Sequence, residues 1–390
     1  MQKLPKTLVN NFCLMPWVHL YIDTTGKAKA CCNTSITYGS VRNKSIEEIW
    51  EGEKINTFRN NLLKGIKDKR CAICYNKESA GKSSIRTETL EKYKKHLPKA
   101  LQNLPKSKPV YLDVRFSNIC NLKCRTCWHG ASSSWFEDAK ILKTNVGNKA
   151  ILKATTNNPR LIQNILSYSS DIEEIYFAGG EPLLMEEHYL LLEQLIQKNK
   201  TDTLIRYNTN LSQLNLKDKN VIDFWKKFKH IHLSISIDAI GKKVELIRSG
   251  LKWDKLIQNI LTIKEQCPNI KLEIAPTVSV FNVLDLADLH QYFYKNQWID
   301  NINSIYINIL ERPSYYNIQV LPTPIKQKVK HKIQQHILWL QQNKATKSTI
   351  EEFNSIIKYM QLSDDTKGYS QYKKEVARIN KLRNELLDTL

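Results

Sequence analysis

Three cysteines, Cys120, Cys124 and Cys127, share one short stretch with the spacing C-x3-C-x2-C. They follow directly on an apolar, β-prone run of Tyr111, Leu112, Val114 and Phe116. Three thiolates this close in one loop can grip three corners of a cubane iron–sulfur cluster. A fourth cysteine would close the cluster. Three leave one iron open, as a catalytic zinc keeps one position for its substrate. Zinc itself prefers C-x2-C pairs with a distant second pair, which this spacing fits poorly. A second group comprises Cys13, Cys31, Cys71 and Cys74, with Cys32 next to Cys31. Four thiolates there suit either a zinc knuckle or a closed iron–sulfur cluster. Cys267 stands alone at the end of a helical pattern and reads as an ordinary, partly buried cysteine.

Composition narrows the class. At 390 residues the chain has room for two to three domains and a large core. The odd total of nine cysteines, clustered in a chain of this length, argues against a secreted disulfide framework. The N-terminus has no long apolar segment and nothing approaches eighteen apolar residues. The expectation is therefore a cytoplasmic protein that does not engage a membrane. The formal charge of +21 has two readings. One is a polyanionic partner such as RNA. The other, favoured here, is compositional: Lys, Asn and Ile are abundant throughout, and no dense basic block is interleaved with aromatics.

The elements that must position these residues are legible as periodicities. Residues 12–32 read as a hairpin, with Val18, Leu20 and Ile22 alternating with His19, Tyr21 and Asp23, a turn at Thr24–Lys27 and a return along Ala28–Cys31. Residues 45–63 read as one helix capped by Ser45. Residues 83–109, Lys-rich with Pro98, Pro105 and Pro109, read as a helix and a linker. From 110 to 312, strand-like runs (110–116, 172–178, 204–208, 231–237, 272–280 and 305–309) alternate with helical patterns such as 188–198 and 221–228. Repeated βα units imply parallel strands with right-handed crossovers. Reactive groups then belong at the C-terminal strand ends. The tail, 323–390, carries three helical stripes: Val329, Ile333, Ile337 and Leu340; Ile350, Phe353, Ile357 and Met360; and Tyr372, Val376, Ile379, Leu386 and Leu390.

C-x3-C-x2-C at the end of a first strand resembles the radical S-adenosylmethionine (SAM) superfamily. The resemblance implies an α/β fold with a partial (β/α)6 barrel. It also implies a [4Fe–4S] cluster on Cys120, Cys124 and Cys127 whose open iron chelates SAM. Reductive cleavage then yields a 5′-deoxyadenosyl radical that abstracts hydrogen from a substrate, with an electron from a reductant such as flavodoxin or ferredoxin. Gly179-Gly180-Glu181-Pro182, after a second strand, is similar to the motif that binds the SAM amino group. Its glycines let backbone approach a ligand closely. Asn208 at the third strand end, and Ser236 and Arg248 of the fourth unit, match elements that contact SAM in relatives. Thr277, Val278 and Asn282 close the fifth strand near the adenine position. The aromatic residue usual before the third cysteine is replaced by Thr126, with Trp128 as its candidate substitute.

The spacing from Cys13 through Gly26 to Cys31, C-x12-G-x4-C, followed by Cys71 and Cys74 as C-x2-C, resembles the SPASM domain and its shorter relative, the twitch domain. It implies an auxiliary [4Fe–4S] cluster on Cys13, Cys31, Cys71 and Cys74, and a peptide or protein substrate. Here the module precedes the barrel instead of following it, and Ala80 stands where the longer pattern continues in cysteine. One auxiliary cluster is therefore expected. The spacing selects Cys31 as ligand, and Cys32, on the opposite face of the strand, should act as a small apolar residue or open the next loop. The expected layout is a small α+β cluster module over 1–82, a helical linker over 83–109, the barrel core over 110–322 and a C-terminal helical tail over 323–390. The rival readings are an RNA-modifying member of the same superfamily and a non-catalytic, zinc-stapled protein that binds nucleic acid.

Overall fold

A computed structural model describes residues 8, 10–79, 83–102, 108–144, 146–156, 158 and 160–388. The expected cue at Ala80 and the stripe and linker residues Leu390 and Pro105 lie outside them. In chain order the strands begin with β1 (His19–Ile22), β2 (Lys27–Lys29), β3 (Thr37–Ser40), β4 (Tyr111–Val114) and β5 (Lys123–Cys124). Next come β6 (Glu174–Phe177), β7 (Leu204–Thr209), β8 (Asn215–Leu216), β9 (Lys219–Asn220) and β10 (Ile231–Ile235). The last are β11 (Arg248–Ser249), β12 (Lys271–Ile274), β13 (Thr277–Val278) and β14 (Asn308–Ile309). The chain divides into two compact units. The first is Met1–Asn118, Ile151–Arg206 and Lys227–His230; the second is Ile119–Ala150, Tyr207–Lys226 and Ile231–Leu390.

In the first unit the hairpin β1–β2 forms, antiparallel, with Gly26 at φ +80 in its turn. Its first strand does more than close the hairpin. β1 runs parallel to β4, with Tyr21 opposite Asp113, and β4 runs parallel to β6, with Asp113 opposite Tyr176. The order within this unit is β3-β2-β1-β4-β6, and β7 starts beside β6 through Leu204 N–H to Glu173 O at 2.9 Å. Because side chains alternate across a strand, one face carries Leu20, Leu112 and Ile175 in register, each fully buried. The other face carries His19, Tyr111 and Glu174 in one row and Tyr21, Asp113 and Tyr176 in the next. The apolar face is core; the polar face is a surface on which chemistry can be built.

The expected helix 45–63 is two helices, Ile46–Trp50 and Glu53–Leu63. The first has the Ser45 cap, with Glu48 returning the bond to the Ser45 amide. The break falls at Gly52, where a side chain would meet Glu48 O at 2.8 Å. The linker contains helices Ile85–Lys92 and Leu97–Leu101.

In the second unit β10 pairs parallel with β12, and the end of β7 joins β10 through Ser236 N–H to Thr209 O at 2.8 Å. The expected strand 272–280 is broken into β12 and β13 around Pro276, which has no amide proton for a ladder. The expected strand 305–309 shortens to β14, paired parallel with β13, plus a single bridge at Ile305. The tail forms helices Thr323–Gln342, Lys347–Gln361 and Tyr369–Arg383. The first two stripes pack, although Ile350 is only half-buried. The third is corrected at its end. The helix stops at Asn384, in the left-handed region at φ +50, so Leu386 is 86% exposed and the next residue, Leu387, is buried instead. Among the described residues no helix is long and apolar enough to cross a membrane.

Candidate functional site

The C-x3-C-x2-C loop lies in the second unit and is pinned residue by residue. Ser134 donates to Cys120 O at 2.6 Å, Ser132 to Leu122 O at 2.7 Å, and the Trp135 indole to Cys124 O at 2.8 Å. β5 pairs antiparallel with β11, placing Arg248 opposite Cys124. That approach needs Gly250, at φ +100, where a Cβ would sit 3.0 Å from Asn121 O. Arg125 is fully buried in its side chain, donates Nε–H to Leu246 O at 3.0 Å and pairs with Glu385 at 2.6 Å. Arg383 lies over Trp135, 4.4 Å from the ring, and bonds Lys123 O at 2.6 Å. The last helix and the residues after it thus hold the loop from outside.

Around the thiols, Arg248 Nη1 lies 3.8 Å from Cys124 Sγ, and Asn210 Nδ2 lies 3.9 Å from Cys120 Sγ. Asn210 is the strand-end amide that reaches the loop, two residues beyond the expected Asn208. Arg248 is fixed by Asp238, 2.8 Å from its Nε, and Asp238 accepts the Thr277 amide at 2.8 Å. Neither Asn210 nor Asp238 was singled out from sequence, although both stand in the strand-end stretches that were read. Ser236 is half-buried at the end of β10. Trp128 is 61% exposed, with its ring folded over Gly130 so closely that no side chain would fit there.

Burial, aided by its neighbours Cys124 and Cys120, pushes the Cys127 thiol up to about 12. Burial also raises Cys124, while Arg248 opposes that rise. Among the described residues no group of three or more His, Cys, Asp or Glu side chains is drawn together as tightly as a bare metal ion requires. What the loop offers is a Cys127 thiol in electrostatic contact with both Cys124 and Cys120, with Cys124 and Cys127 each costly to ionise alone. A positively charged iron centre reverses that cost, so the donor set fits a thiolate-ligated cluster.

The other expected elements lie in the first unit. Gly179, at φ +120, brings the β6 end against β4: a Cβ there would meet Ser117 O at 3.0 Å and Arg115 Cβ at 3.2 Å. Gly180 N–H donates to Ser117 O at 3.1 Å. Glu181 is 2% exposed and accepts the Leu183 amide at 3.1 Å, with Pro182 buried beside it. The four N-terminal thiols share one neighbourhood. Burial pushes Cys13 up to about 12, helped by Cys71 and Cys74, and Cys71 up to about 11. Cys31 is buried and feels Cys13 and Cys74. Cys74 is buried and also raised by burial. Arg86 donates to Phe12 O at 2.7 Å and pairs with Glu78, tethering the chain at Cys13. Cys32 is exposed and lies in the turn that opens the next loop, one of the two places expected for it, where it feels Asp113 and Arg115 and, less strongly, Cys74.

Comparison with known proteins gives two family matches. Residues 114–279 match the radical SAM superfamily, and residues 13–75 match SPASM, an iron–sulfur cluster-binding domain. Among curated proteins, the chain is similar to molybdenum cofactor biosynthesis protein 1 of Dictyostelium discoideum, 29% identical over 152 residues, 39% of this chain and 21% of that protein. It is also similar to 7,8-dihydro-6-hydroxymethylpterin dimethyltransferase of Methanocaldococcus jannaschii, 25% identical over 170 residues, 41% of this chain and 27% of that protein. The chain thus spans about a quarter or less of the length of these relatives. Among solved structures, SuiB of Streptococcus suis bound to its precursor peptide SuiA aligns at TM-score 0.42 and 16% identity, covering 85% of this chain and 70% of that one.

Proposed function

From the premise that the chain carries a radical SAM domain over residues 114–279 and a SPASM iron–sulfur domain over residues 13–75, we propose that this enzyme abstracts hydrogen from a side chain of a peptide or protein. Its cofactors are a SAM-binding [4Fe–4S] cluster, S-adenosylmethionine and an iron–sulfur cluster in the N-terminal module. The observation that carries the reading is the C-x3-C-x2-C loop, with the Arg248 guanidinium 3.8 Å from the Cys124 thiol.

Cys120, Cys124 and Cys127 would hold three irons and leave the fourth for SAM. Bound together, cluster and SAM supply a primary carbon radical able to take a hydrogen atom. Arg248, oriented by Asp238, offsets the negative charge that the thiolates bring. Gly179 and Gly180 leave backbone open to an ammonium group, with the buried Glu181 carboxylate beside them as acceptor. Asn208 and Ser236 complete the strand-end donors assigned to SAM. Cys13, Cys31, Cys71 and Cys74 would occupy all four irons of the auxiliary cluster, which suits electron relay or stapling. We assign 1–82 to that module, 83–109 to a linker, 110–322 to the barrel core and 323–390 to the tail. A flavodoxin or ferredoxin would supply the electron, in a reducing cytoplasm.

The SPASM-type module supports a peptide substrate; the charge of +21 supports RNA as the rival. Cell extract added to the reduced holoenzyme with SAM separates them. The peptide reading expects extract to stimulate 5′-deoxyadenosine formation, and protease digestion, not RNase, to remove the stimulation. Loss on RNase treatment alone would overturn it.

A further inference from the structure

The polar face of β1, β4 and β6 holds a group that the radical chemistry above does not use. Tyr21, Asp113 and Tyr176 stand in one cross-strand row. Arg115, just past the end of β4, turns back over this row. Its Nε donates to Asp113 Oδ1 at 3.3 Å, and its guanidinium carbon lies 5.1 Å from the Tyr21 ring centre. The Cys32 thiol and the Tyr176 hydroxyl lie within electrostatic reach of the same guanidinium. On the far side of Tyr176, Arg206 stacks at 5.5 Å and is held by Glu174 at 3.1 Å. Below the row, His19 bonds Ala30 O through Nδ1 at 2.9 Å and leaves its buried Nε2 without a partner among the described residues.

The exposures are graded. Asp113 is 2% exposed, Arg115 and Tyr176 are half-buried and Cys32 is exposed. The carboxylate is the floor, and the donors face the open side. Asp113 occupies only the Nε edge of Arg115. Among the described residues this is the one hydrogen bond the guanidinium makes, so its two terminal amino groups remain for a planar, bidentate partner. The group also borders the strand end assigned to SAM, because a Cβ at Gly179 would meet Arg115 Cβ at 3.2 Å.

We propose that Arg115, backed by Asp113 and flanked by Tyr21, Tyr176 and Cys32, is a substrate-binding subsite that takes a carboxylate of the substrate and fixes which atom is presented beside Gly179. This deepens the function proposed above and rests on it for the identity of the neighbouring ligand. The two terminal amino groups of the fork can hold a carboxylate bidentately, and phenol hydroxyls can donate to its outer lone pairs. A neutral carbonyl offers the Arg115 fork one oxygen and no charge, a weaker partner than a carboxylate.

Cys32 provides the readout. The anaerobic holoenzyme, with both clusters loaded, is treated with iodoacetate or with neutral iodoacetamide. Alkylation of Cys32 is followed by peptide mapping, with glutathione in the same tube as reference. A carboxylate subsite should favour iodoacetate at Cys32, relative to glutathione, by about tenfold. Millimolar glutarate should suppress this excess. Arg115→Gln should abolish it while leaving the iodoacetamide rate within about twofold, and Arg115→Lys should keep part of it. Iron content reports that each variant is folded. The subsite is overturned if iodoacetate shows no excess, or if the excess survives Arg115→Gln. Saturating SAM separates the two sources of carboxylate: an excess that persists supports the substrate assignment, and one that vanishes gives Arg115 to SAM and overturns it. Alkylation needs no SAM cleavage, so failure here is distinct from failure of the radical assignment.

Discussion

Arg248 holds two acids of different kinds at once: its Nη1 lies 3.8 Å from Cys124 Sγ, and its Nε lies 2.8 Å from Asp238 Oδ2. Asp238 is fully buried and Arg248 is 8% exposed. The pair couples the cluster loop to the ends of β10 and β13. Removing the cation leaves a buried carboxylate with, among the described residues, the Thr277 amide as its hydrogen-bond donor, which costs about 3–5 kcal/mol. Arg248→Met should therefore lower the unfolding midpoint strongly, and adding Asp238→Leu should restore part of the loss. A single variant as stable as the parent in urea titration would contradict the pairing.

The last helix reaches the same loop. Glu385 holds the fully buried Arg125, whose amide donates to Ile247 O at 2.8 Å. Glu385→Ala should destabilise the protein by about 3 kcal/mol. It should also raise amide hydrogen exchange at 123–127 while leaving exchange in the first unit unchanged. Unchanged exchange at the loop would reduce the contact to surface decoration.

Much of the site was legible because cysteine spacing and glycine–acid motifs are local signals. Cys120–Cys127 and Gly179–Pro182 were found where a strand ends. What periodicity could not reveal was partner choice. The hairpin strand β1 alternates like any half-buried strand, yet all four of its residues are buried and it lies beside β4. Nothing within residues 19–22 names that neighbour. The polar row on Asp113 followed from the same pairing and was missed for the same reason. Local breakers were underweighted: Gly52 split one helix, Pro276 split one strand, and Asn384 ended the last helix before Leu386. At the third strand end the side chain that reaches Cys120 is Asn210, two residues beyond Asn208.

Cys31 is buried and feels Cys13 and Cys74, whereas Cys32 is exposed and feels Asp113 and Arg115 ahead of Cys74. Cys31→Ala should lower iron from about eight to about four per chain, and Cys32→Ala should leave it near eight. The reverse pattern would move the ligand to Cys32. Loss in neither would assign the module to zinc or to no metal.

Acid should weaken the first unit through His188. It is fully buried against Phe177 and Tyr189, and burial lowers it from 6.5 to about 3. The folded value lies below the unfolded one, so the unfolded chain takes the proton first as pH falls. The stability is fully present above pH 6.5 and is lost progressively toward pH 3. At pH 5 the loss is about 2 kcal/mol. Urea midpoints at pH 7.5 and pH 5 should differ more for the parent than for His188→Leu. Equal differences would remove His188 from the acid response.

The central claim is that Cys120, Cys124 and Cys127 hold the cluster that activates SAM. The direct measurement is 5′-deoxyadenosine formed by anaerobically reconstituted protein with SAM and dithionite, for the parent and for Cys124→Ala. The parent should form it. The variant should form none while keeping the auxiliary iron, about four per chain, and the circular dichroism of the parent. Formation at the parent rate by Cys124→Ala would contradict the account.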